Sequence, residues 1–547
     1  MTLLALHRGA RVAAEDAASR AIPRADVVRE LQSEAIVKQV APWGRWGVQE
    51  GKFSTWMQHS NRLIPVYTFG IDLGSWRESA SPYATRSSLK KLYGFLPKAT
   101  LNPVATYYDQ SQIHALQETA VAAGKRHIIV LVFDGMDWQT TRAAATFRAG
   151  RVAYETGRGT GLSFQDYRGT TTDFSFVVTS AVSGGKKSDV DAQTVLGGGD
   201  ADAGYNVHRG GMFPWHENSR NAYLIGEDRE LPHRVTDSAA SATSLFAGVK
   251  TYNASIGVLP DGSQVQPIAR KLEQRGFRIG IVTSVPVSHA TPASAYANNV
   301  ARKDYQDISR DLLGLPSASH RRNALRGVDV LIGGGWGEGK GDDKTQGNNF
   351  MPGNVYLHES DLQRSDVTNG GRYTVVQRTA GQSGSEVLQQ AAQRAIAART
   401  RLLGFFGTRG GHLPFRTADG GYNPTFDAKG TEKYTAADVD ENPTLADMTR
   451  AALAVLSTSD ADEPGDAPAP FWLTVESGDV DWANHANNLD NSIGAVLSGE
   501  AAFDVIAEWA ERHEAWDDTA VIVTADHGHF LVLTDLQAIA DAGRHSR

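Results

Sequence analysis

Five short apolar runs constrain the fold of this chain more than any other feature. They cover residues 128–133, 278–283, 328–332, 471–475 and 520–524, and Gly, Asp, His or Ser residues bound them. A strand with one face in water alternates apolar and polar residues, so these continuous runs predict strands buried on both faces. Helical patterns separate the runs, at 241–248, 266–275, 386–403, 444–457 and 499–513. This alternation predicts an α/β fold with a mostly parallel central sheet and helices on both faces.

The segments between the runs differ greatly in length, which indicates how the chain is organised. Residues 126–547 are predicted to form the core, with polar, Gly-rich insertions at about 150–221, 337–385 and 408–442. Structureless loops of that length are rare in compact domains, so we expect the insertions to form a cap or rim around a site. Residues 1–125 form an N-terminal region whose segment at about 55–70 is considered below.

The composition excludes several classes of protein. The chain has no Cys, so it has no disulfide, no thiolate metal site and no Cys nucleophile. Its 54 Lys and Arg residues against 62 Asp and Glu residues leave a net charge of −8. The chain therefore lacks the excess of basic residues that would suggest binding to nucleic acid or to an anionic membrane. No apolar stretch approaches the roughly 20 residues of a membrane span, and the apolar start is too short for a signal peptide.

Carboxylates and an imidazole follow three of the predicted strands. Asp134 follows the first run, Glu476 the fourth, and Asp526 with His527 the last. Ligands collect at the carboxyl ends of the strands in such sheets, and this donor set suits zinc, magnesium or manganese. The alternative for Asp134 alone is an aspartate that merely caps a strand. Together the residues predict a centre with more than one metal ion.

Asp481 and His485 form a second candidate pair. They are four positions apart, so on a helix after the strand they share one face and can chelate one ion. Glu476, at the strand end, would then face a neighbouring ion. The alternative is a solvated acidic loop followed by an ordinary helix.

Ser238 is the candidate nucleophile, within an Asp237-Ser238 pair that precedes an Ala-rich helical pattern. Asp and Ser are good helix caps, which is the structural alternative. The functional interpretation places the Ser238 hydroxyl at the positive end of a helix, beside metal ions that lower its pKa.

These residues also carry a resemblance to a known family. All nine positions of 235–243 agree with the active-site signature of the alkaline phosphatases. Five separated blocks match that family in the same order, namely Asp134, residues 235–243, residues 288–293 with Arg302, residues 476–485 and residues 526–527. The chain is therefore identified as similar to this family, and five ordered blocks are far more specific than any one of them.

The resemblance implies two Zn²⁺ ions, one Mg²⁺ ion and a role for each matched residue. The implied ligands are Asp481 and His485 for the first zinc, Asp134, Asp526 and His527 for the second, and Asp134, Thr291 and Glu476 for magnesium. Ser238 would attack phosphorus, and Arg302, held by Asp237, would bind two phosphate oxygens with its bidentate fork.

Two positions mark a variant of the family. His289 stands where the best-known bacterial enzyme has an aspartate, and Trp482 stands where that enzyme has a lysine. An imidazole at this position can move the preference of the third site from magnesium towards zinc or another divalent ion. The alternative is that His289 only orients a ligand.

The third protein ligand of the first zinc site is missing from its usual place. Family members supply it from a histidine some tens of residues after the Asp-His pair, followed by an apolar strand. His59, with the apolar run that follows it, resembles that segment, so we expect His59 to complete the site in a circularly permuted chain. The alternatives are His529, His412, His545 or water, and we expect His529 to hydrogen-bond a ligand carboxylate instead.

The resulting expectation is a phosphomonoester hydrolase that forms a phosphoserine at Ser238 and releases phosphate at alkaline pH. Its substrates would be small phosphate monoesters, and the resemblance implies a periplasmic or extracellular location, although no signal peptide is visible. A phosphodiesterase of the same superfamily and a non-catalytic metal-binding surface protein remain alternatives, and a homodimer stays open. A sulfatase is disfavoured, because Ala239 and Ala240 follow Ser238 and the chain has no Cys.

Overall fold

A computed structural model describes residues 26–47, 49–61, 63–180, 182, 186–197, 203–206, 235–458 and 469–546. The strands in these ranges are β1 (Gly44–Trp46), β2 (Ile64–Phe69), β3 (His127–Phe133), β4 (Thr172–Val177), β5 (Lys187–Asp189), β6 (Thr194–Gly197), β7 (Arg278–Pro286), β8 (Val330–Gly334), β9 (Gly339–Lys340), β10 (Gly353–Asn354), β11 (Tyr373–Gln377), β12 (Arg401–Phe405), β13 (Phe471–Ser477), β14 (Thr519–Ala525) and β15 (Leu531–Leu533).

The α-helices of the same ranges are α1 (Val27–Lys38), α2 (Gly74–Glu78), α3 (Arg86–Tyr93), α4 (Ser111–Ala122), α5 (Trp138–Ala149), α6 (Ser163–Asp166), α7 (Ser238–Ala247), α8 (Ile268–Glu273), α9 (Ala290–Ser294), α10 (Tyr305–Leu313), α11 (Glu359–Ser365), α12 (Gly384–Ala398), α13 (Ala436–Asp440), α14 (Leu445–Leu456), α15 (Asp479–His485), α16 (Leu489–Arg512) and α17 (Leu536–His545). Short 3₁₀ helices span Lys344–Asn349, Val367–Asn369 and Trp516–Asp518. Among the described helices, none combines the length and the apolar character that crossing a bilayer requires.

One nine-stranded sheet organises the molecule, in the order β11-β12-β8-β7-β13-β3-β14-β2-β4. The seven strands from β11 to β14 run parallel to their neighbours. The strand β2 is antiparallel to β14, and β4 is antiparallel to β2. The predicted mostly parallel sheet is therefore confirmed.

The five apolar runs all lie in this sheet, as β3, β7, β8, β13 and β14. Every residue of β3, β13 and β14 is buried, as expected for strands that are covered on both faces. The helices α4 and α16 both contact β3, and α8 and α14 both contact β7. The helices α4 and α8 contact each other, and α14 and α16 form a separate contacting pair. Each pair therefore lies on its own face of the sheet, so helices cover both faces, as predicted.

The structure differs from the sequence prediction at the far edge of the sheet. The helical pattern at 386–403 is divided, because α12 ends at Ala398 and residues 401–405 form β12. Arg399 has a φ of 52°, a left-handed conformation that terminates a helix. Leu402 and Leu403 are then fully buried in the sheet. The segments predicted as insertions also contribute strands, since β4 lies within 150–221 and β11 within 337–385.

Candidate metal centre and active site

Three neighbouring strands bring their polar ends together at one edge of the sheet. The strand β3 lies between β13 and β14, and Phe133 is in register with both Ser477 and Ala525. Asp134 directly follows Phe133, and Asp526 directly follows Ala525. Because Phe133 and Ala525 are paired, the two aspartates leave the sheet side by side. Glu476 lies near the end of β13. The parallel register thus concentrates three carboxylates where ligands bind in such sheets.

The first cluster consists of Asp134, Asp526 and His527, which offer ligand atoms within 4.8 Å of one another. Asp526 accepts hydrogen bonds from the backbone N–H groups of Gly135 and His527, at 3.0 and 2.8 Å, and from the Ser241 hydroxyl at 3.0 Å. Neither oxygen of Asp134 accepts a well-formed hydrogen bond from an N–H or O–H group of the described residues, although His527 Nε2 lies 3.2 Å from Oδ1. Asp134 is thus a fully buried carboxylate whose oxygens face a potential cation site.

The second cluster surrounds Asp481, on the first turn of α15. His485 lies one turn later, and its Nε2 is 3.4 Å from Asp481 Oδ1. His59 Nε2 is 3.5 Å from the same oxygen and 3.0 Å from His485 Nε2. His529 Nε2 bonds to that oxygen at 2.7 Å. The structure therefore brings His59 beside the predicted pair. Among the described residues, the group that could hold a metal ion here consists of His59, Asp481, His527 and His529, so His529 both bonds to Asp481 and stays a candidate ligand.

The N-terminal segment around His59 also contacts other parts of the site. His485 Nδ1 donates to the Met57 carbonyl at 2.7 Å, which directs Nε2 towards His59. The Ser60 hydroxyl donates to the carbonyl of His529 at 2.9 Å. The side-chain oxygen of Asn61 accepts from the backbone N–H of Thr236 at 3.2 Å. Residues 57–61 therefore join three chain segments that carry candidate functional residues, contacts that no local sequence pattern indicates.

A third group surrounds Glu476, which is buried. Burial raises its pKa to about 8, although a hydrogen bond from Thr283 and the nearby Thr291 hydroxyl act in the opposite direction. Burial, together with the charges of Asp526, Asp481 and Glu476, raises the pKa of Asp134 well above its usual value. The cost of burying these carboxylates as anions close to one another is what raises both values.

Asp481 shows the opposite behaviour. Burial alone would raise its pKa, but His485, His529 and His59 together hold it well below its usual range. Burial lowers the pKa of His59, and its neighbour His527 lowers it further. A neutral imidazole beside an ionised carboxylate is the state in which both residues can bind a metal ion.

Ser238 is the first residue of α7, and Asp237 caps this helix. Asp237 Oδ1 accepts from the backbone N–H of Ala240 at 3.0 Å, while Oδ2 accepts from Arg302 at 2.9 Å. The capping role considered from sequence is therefore real, and the same side chain also holds the arginine. Ser238 Oγ lies 3.1 Å from His527 Nε2, so the hydroxyl is adjacent to the first cluster.

The two variant positions lie next to each other. The rings of His289 and Trp482 pack edge to face, with centroids 5.6 Å apart. Burial and the nearby Arg302 charge lower the pKa of His289 to about 3. His289 precedes Thr291 on the turn that begins α9, so both residues reach the site from the same short segment.

A cavity of about 640 Å³ opens onto these residues. Its inner wall contains Ser238, Arg302, His289, His59, Asp481, Trp482 and His485. Its outer wall comes from one loop within 408–442 and contains Gly410, His412, Phe415, Asp427, Lys429, Gly430, Thr431 and Glu432. Sequence reasoning anticipated a rim from this segment, but of the residues in this segment that line the cavity it considered only His412, as an alternative metal ligand.

The other histidines considered as the third ligand lie elsewhere. His412 contacts the Leu413 carbonyl through Nδ1 and the Glu432 carboxylate through Nε2, at 2.6 and 3.0 Å. His545 is exposed at the end of α17. Neither belongs to the two clusters of potential metal ligands found among the described residues.

Comparison with known proteins gives a consistent result. The family model described as "Alkaline phosphatase" matches residues 218–541, which is more than half of the chain. His59 and Asp134 lie outside this range. Alkaline phosphatase 3 of Bacillus subtilis is 27% identical over 309 residues, which cover 56% of this chain and 52% of that protein.

Two further similarities cover comparable shares of the chain. Streptomycin-6-phosphate phosphatase of Streptomyces griseus is 31% identical over 326 residues, which cover 57% of this chain and 65% of that protein. A solved cold-active alkaline phosphatase from Shewanella sp. is 20% identical with a TM-score of 0.42, over 74% of this chain and 68% of that one. The matches thus span about half to two thirds of the length of these relatives.

Proposed function

The chain belongs to the alkaline phosphatase family, and on this premise we propose that it is a metal-dependent phosphomonoester hydrolase with Ser238 as nucleophile. The observation that carries the proposal is the position of the Ser238 hydroxyl. It lines the cavity together with Arg302 and lies 3.1 Å from His527. His527 belongs both to the group Asp134, Asp526 and His527 and to the group His59, Asp481, His527 and His529. A phosphate ester in this cavity would meet a nucleophile and a guanidinium at once.

The residues present fit divalent metal ions. The carboxylate oxygens of Asp134 are buried without a well-formed hydrogen bond from the described residues, and such a group is costly unless it binds a cation. We propose that Asp134, Asp526 and His527 hold one ion and that His59, Asp481 and His485 hold another. The imidazole nitrogens in both sets favour Zn²⁺.

The third proposed site consists of Asp134, Thr291 and Glu476. Its donors are all oxygens, which suits Mg²⁺. His289 lies two residues before Thr291, and its imidazole is the reason that Zn²⁺ or another divalent ion remains an alternative at this site.

Two divalent ions, when bound, would stabilise the attacking and leaving oxygens of an in-line displacement. The chain itself supplies the other parts. Ser238 Oγ attacks phosphorus at the positive end of α7, the alcohol departs, and water then cleaves the phosphoserine. Arg302, held at 2.9 Å by Asp237, binds two phosphate oxygens. Because Ser238 must lose its proton to attack, we expect the rate to increase towards alkaline pH.

Arg302 also favours a monoester over the diester alternative. A monoester presents more unsubstituted, charged oxygens than a diester does, and a bidentate guanidinium binds such oxygens best. The physiological substrate is expected to be a small phosphate monoester in the periplasm or outside the cell, and a homodimer stays open.

We further propose that His59 supplies the third protein ligand of the Asp481 site and that the chain is circularly permuted relative to the common order. The support is spatial. The strand β2, which follows His59, pairs with β14, which precedes Asp526. A segment early in the chain thus lies directly beside the last strand of the core.

The test compares turnover of p-nitrophenyl phosphate and of its bis-ester by the wild type, Ser238→Ala and the exposed-serine control Ser87→Ala. We expect metal-dependent monoester turnover that Ser238→Ala lowers by at least about a thousandfold and that Ser87→Ala leaves unchanged. A chelator should abolish the activity, and Zn²⁺ should restore it. Preferred turnover of the bis-ester would indicate a diesterase, and no turnover would leave only a metal-binding protein.

A further inference from the structure

The outer wall of the cavity can bind the alcohol part of a phosphate ester, which is the leaving group. A phosphoryl group bound at Ser238 and Arg302 fills only a small part of about 640 Å³. The remaining space is bordered by Phe415 and by the loop from Asp427 to Glu432. In an in-line displacement the alcohol part of a phosphate ester points away from the nucleophile, and the loop residues that line the same cavity are available to contact it.

The two acidic side chains of this wall are already engaged. Asp427 Oδ1 accepts from the backbone N–H groups of Lys429 and Gly430, at 2.6 and 2.8 Å. Glu432 Oε1 lies 3.0 Å from His412 Nε2. His412 Nδ1 also contacts the Leu413 carbonyl at 2.6 Å, so this ring is held between two groups of the same loop.

Lys429 differs from these residues. Its side chain is exposed and lines the cavity, and it forms no ion pair with any residue that the structure describes. It lines the same cavity as Ser238 and Arg302. Lys429 is therefore the basic side chain of this wall that pairs with no described carboxylate within 4 Å, although its charge does act on the nearby Asp427.

The wall next to Lys429 is aromatic. His412 stacks on Phe415 with ring centroids 4.1 Å apart and planes within 6°. Trp482 packs edge to face against His412, at 5.1 Å. These contacts hold the rings as a rigid surface, against which a substrate can place an apolar body while Lys429 meets a charged end.

We propose that Lys429 is a specificity-determining residue that binds an anionic group on the leaving alcohol. The preferred substrates are then phosphate monoesters whose alcohol carries a carboxylate or a second phosphate. This inference rests on the phosphomonoesterase activity proposed above, and it adds the substrate class of the same site.

The test uses three substrates that share one ring, namely phenyl phosphate, para-carboxyphenyl phosphate and the bisphosphate of hydroquinone. For each enzyme, kcat/KM of the two anionic esters is divided by that of phenyl phosphate, so differences in intrinsic reactivity cancel between variants. Lys429→Glu should lower these ratios by about fivefold, and Lys429→Met should lower them less, as expected for a partly solvated ion pair. The effect should diminish at high salt.

The matched control is Lys433→Glu, which changes the net charge equally at an exposed lysine outside the cavity. Its ratios should equal those of the wild type. A fall in only one ratio of Lys429→Glu would support the proposal and identify the anion. Equal ratios for Lys429→Glu and Lys433→Glu would overturn it while phenyl phosphate turnover persisted. If the wild type hydrolysed none of the three esters, the proposed function itself would fail.

Discussion

The Nε2 atoms of His59 and His485 lie 3.0 Å apart, although 426 positions separate the two residues in the chain. Two imidazole nitrogens at this distance, beside the Asp481 carboxylate, form a donor set that suits a zinc ion. The Met57 carbonyl accepts a hydrogen bond from the other nitrogen of His485. The N-terminal segment therefore provides one member of the pair and orients the other.

Replacement of His59 tests this relationship. We expect His59→Ala to lose one metal ion per chain and to bind Zn²⁺ more than about a hundredfold more weakly, because a ligand contributes more than a residue that only orients one. Turnover should fall in parallel. The measurement is elemental analysis after dialysis, together with a zinc titration followed by activity.

The control for His59 is His545→Ala, which removes an exposed histidine at the end of α17. It should retain the metal content and the activity of the wild type. Unchanged zinc content in His59→Ala would show that this histidine is not a ligand, and the proposed permutation would lose its main support.

Arg302 is predicted to bind the phosphoryl group through its planar fork. We expect Arg302→Lys to lower kcat/KM for a monoester by about ten- to a hundredfold, because one charge-assisted hydrogen bond is lost. Inhibition by inorganic phosphate should weaken by a similar factor. Arg275→Lys, at an exposed arginine after α8, provides the control, and equal phosphate inhibition in the two variants would contradict the role.

Gln32, on α1, is predicted to stabilise the turn that follows His485. Its side chain is fully buried, donates to the Asn487 carbonyl and accepts from the Leu489 N–H, both at 3.0 Å. In Gln32→Ala these two buried backbone groups lose their partner, so we expect the free energy of unfolding to fall by about 2–4 kcal/mol. Urea denaturation measures this change.

The same variant should also retain zinc less well, because the turn adjoins His485. Glu34→Ala is the matched control, since Glu34 is exposed on the same helix. If Gln32→Ala and Glu34→Ala had the same stability and zinc retention, the turn would not depend on this contact.

Asp490 gives a prediction for the pH dependence of stability. Burial raises its pKa to about 7, with the nearby Asp26 charge adding to the effect. A pKa raised in the folded state gives a stability contribution that is present below the unfolded value near 4 and is lost as the pH rises through 7. We therefore expect the wild type to lose stability relative to Asp490→Asn, by a few kcal/mol, between pH 4 and 8.

The measurement is the free energy of unfolding in urea at several pH values. Asp440→Asn, at an exposed carboxyl, should follow the wild type throughout. A constant difference between the wild type and Asp490→Asn across this range would show that Asp490 does not titrate there.

The sequence was sufficient for the central strands and for proposing most of the candidate metal ligands. The runs that became β3, β13 and β14 are continuous and apolar because both faces of these strands are covered by helices. Asp134, Glu476 and Asp526 could be predicted as candidates because carboxylates follow three such strands, although an aspartate after one strand alone is ordinary. Asp481 and His485 could be paired because both lie on one short helix, α15.

Other features depended on contacts between distant segments. The strand β12 was hidden within a helical pattern, because Leu402 and Leu403 suit a helix as well as a buried strand. The contacts of Met57, Ser60 and Asn61 with the site involve backbone groups or small polar side chains, which have no sequence signature. Lys429 could not be distinguished from other surface lysines until the loop that carries it was placed over the cavity.

The sequence by itself determined the fold class, the absence of thiolate chemistry, the family and the nucleophile candidate. These depend on local residue patterns and on the order of short motifs. Only the tertiary structure decided that His59 lies beside His485, that Asp134 and Asp526 leave the sheet together, and that Lys429 lines the cavity. Such relationships arise from the register of parallel strands and from the packing of distant segments, which the spacing of residues along the chain does not specify.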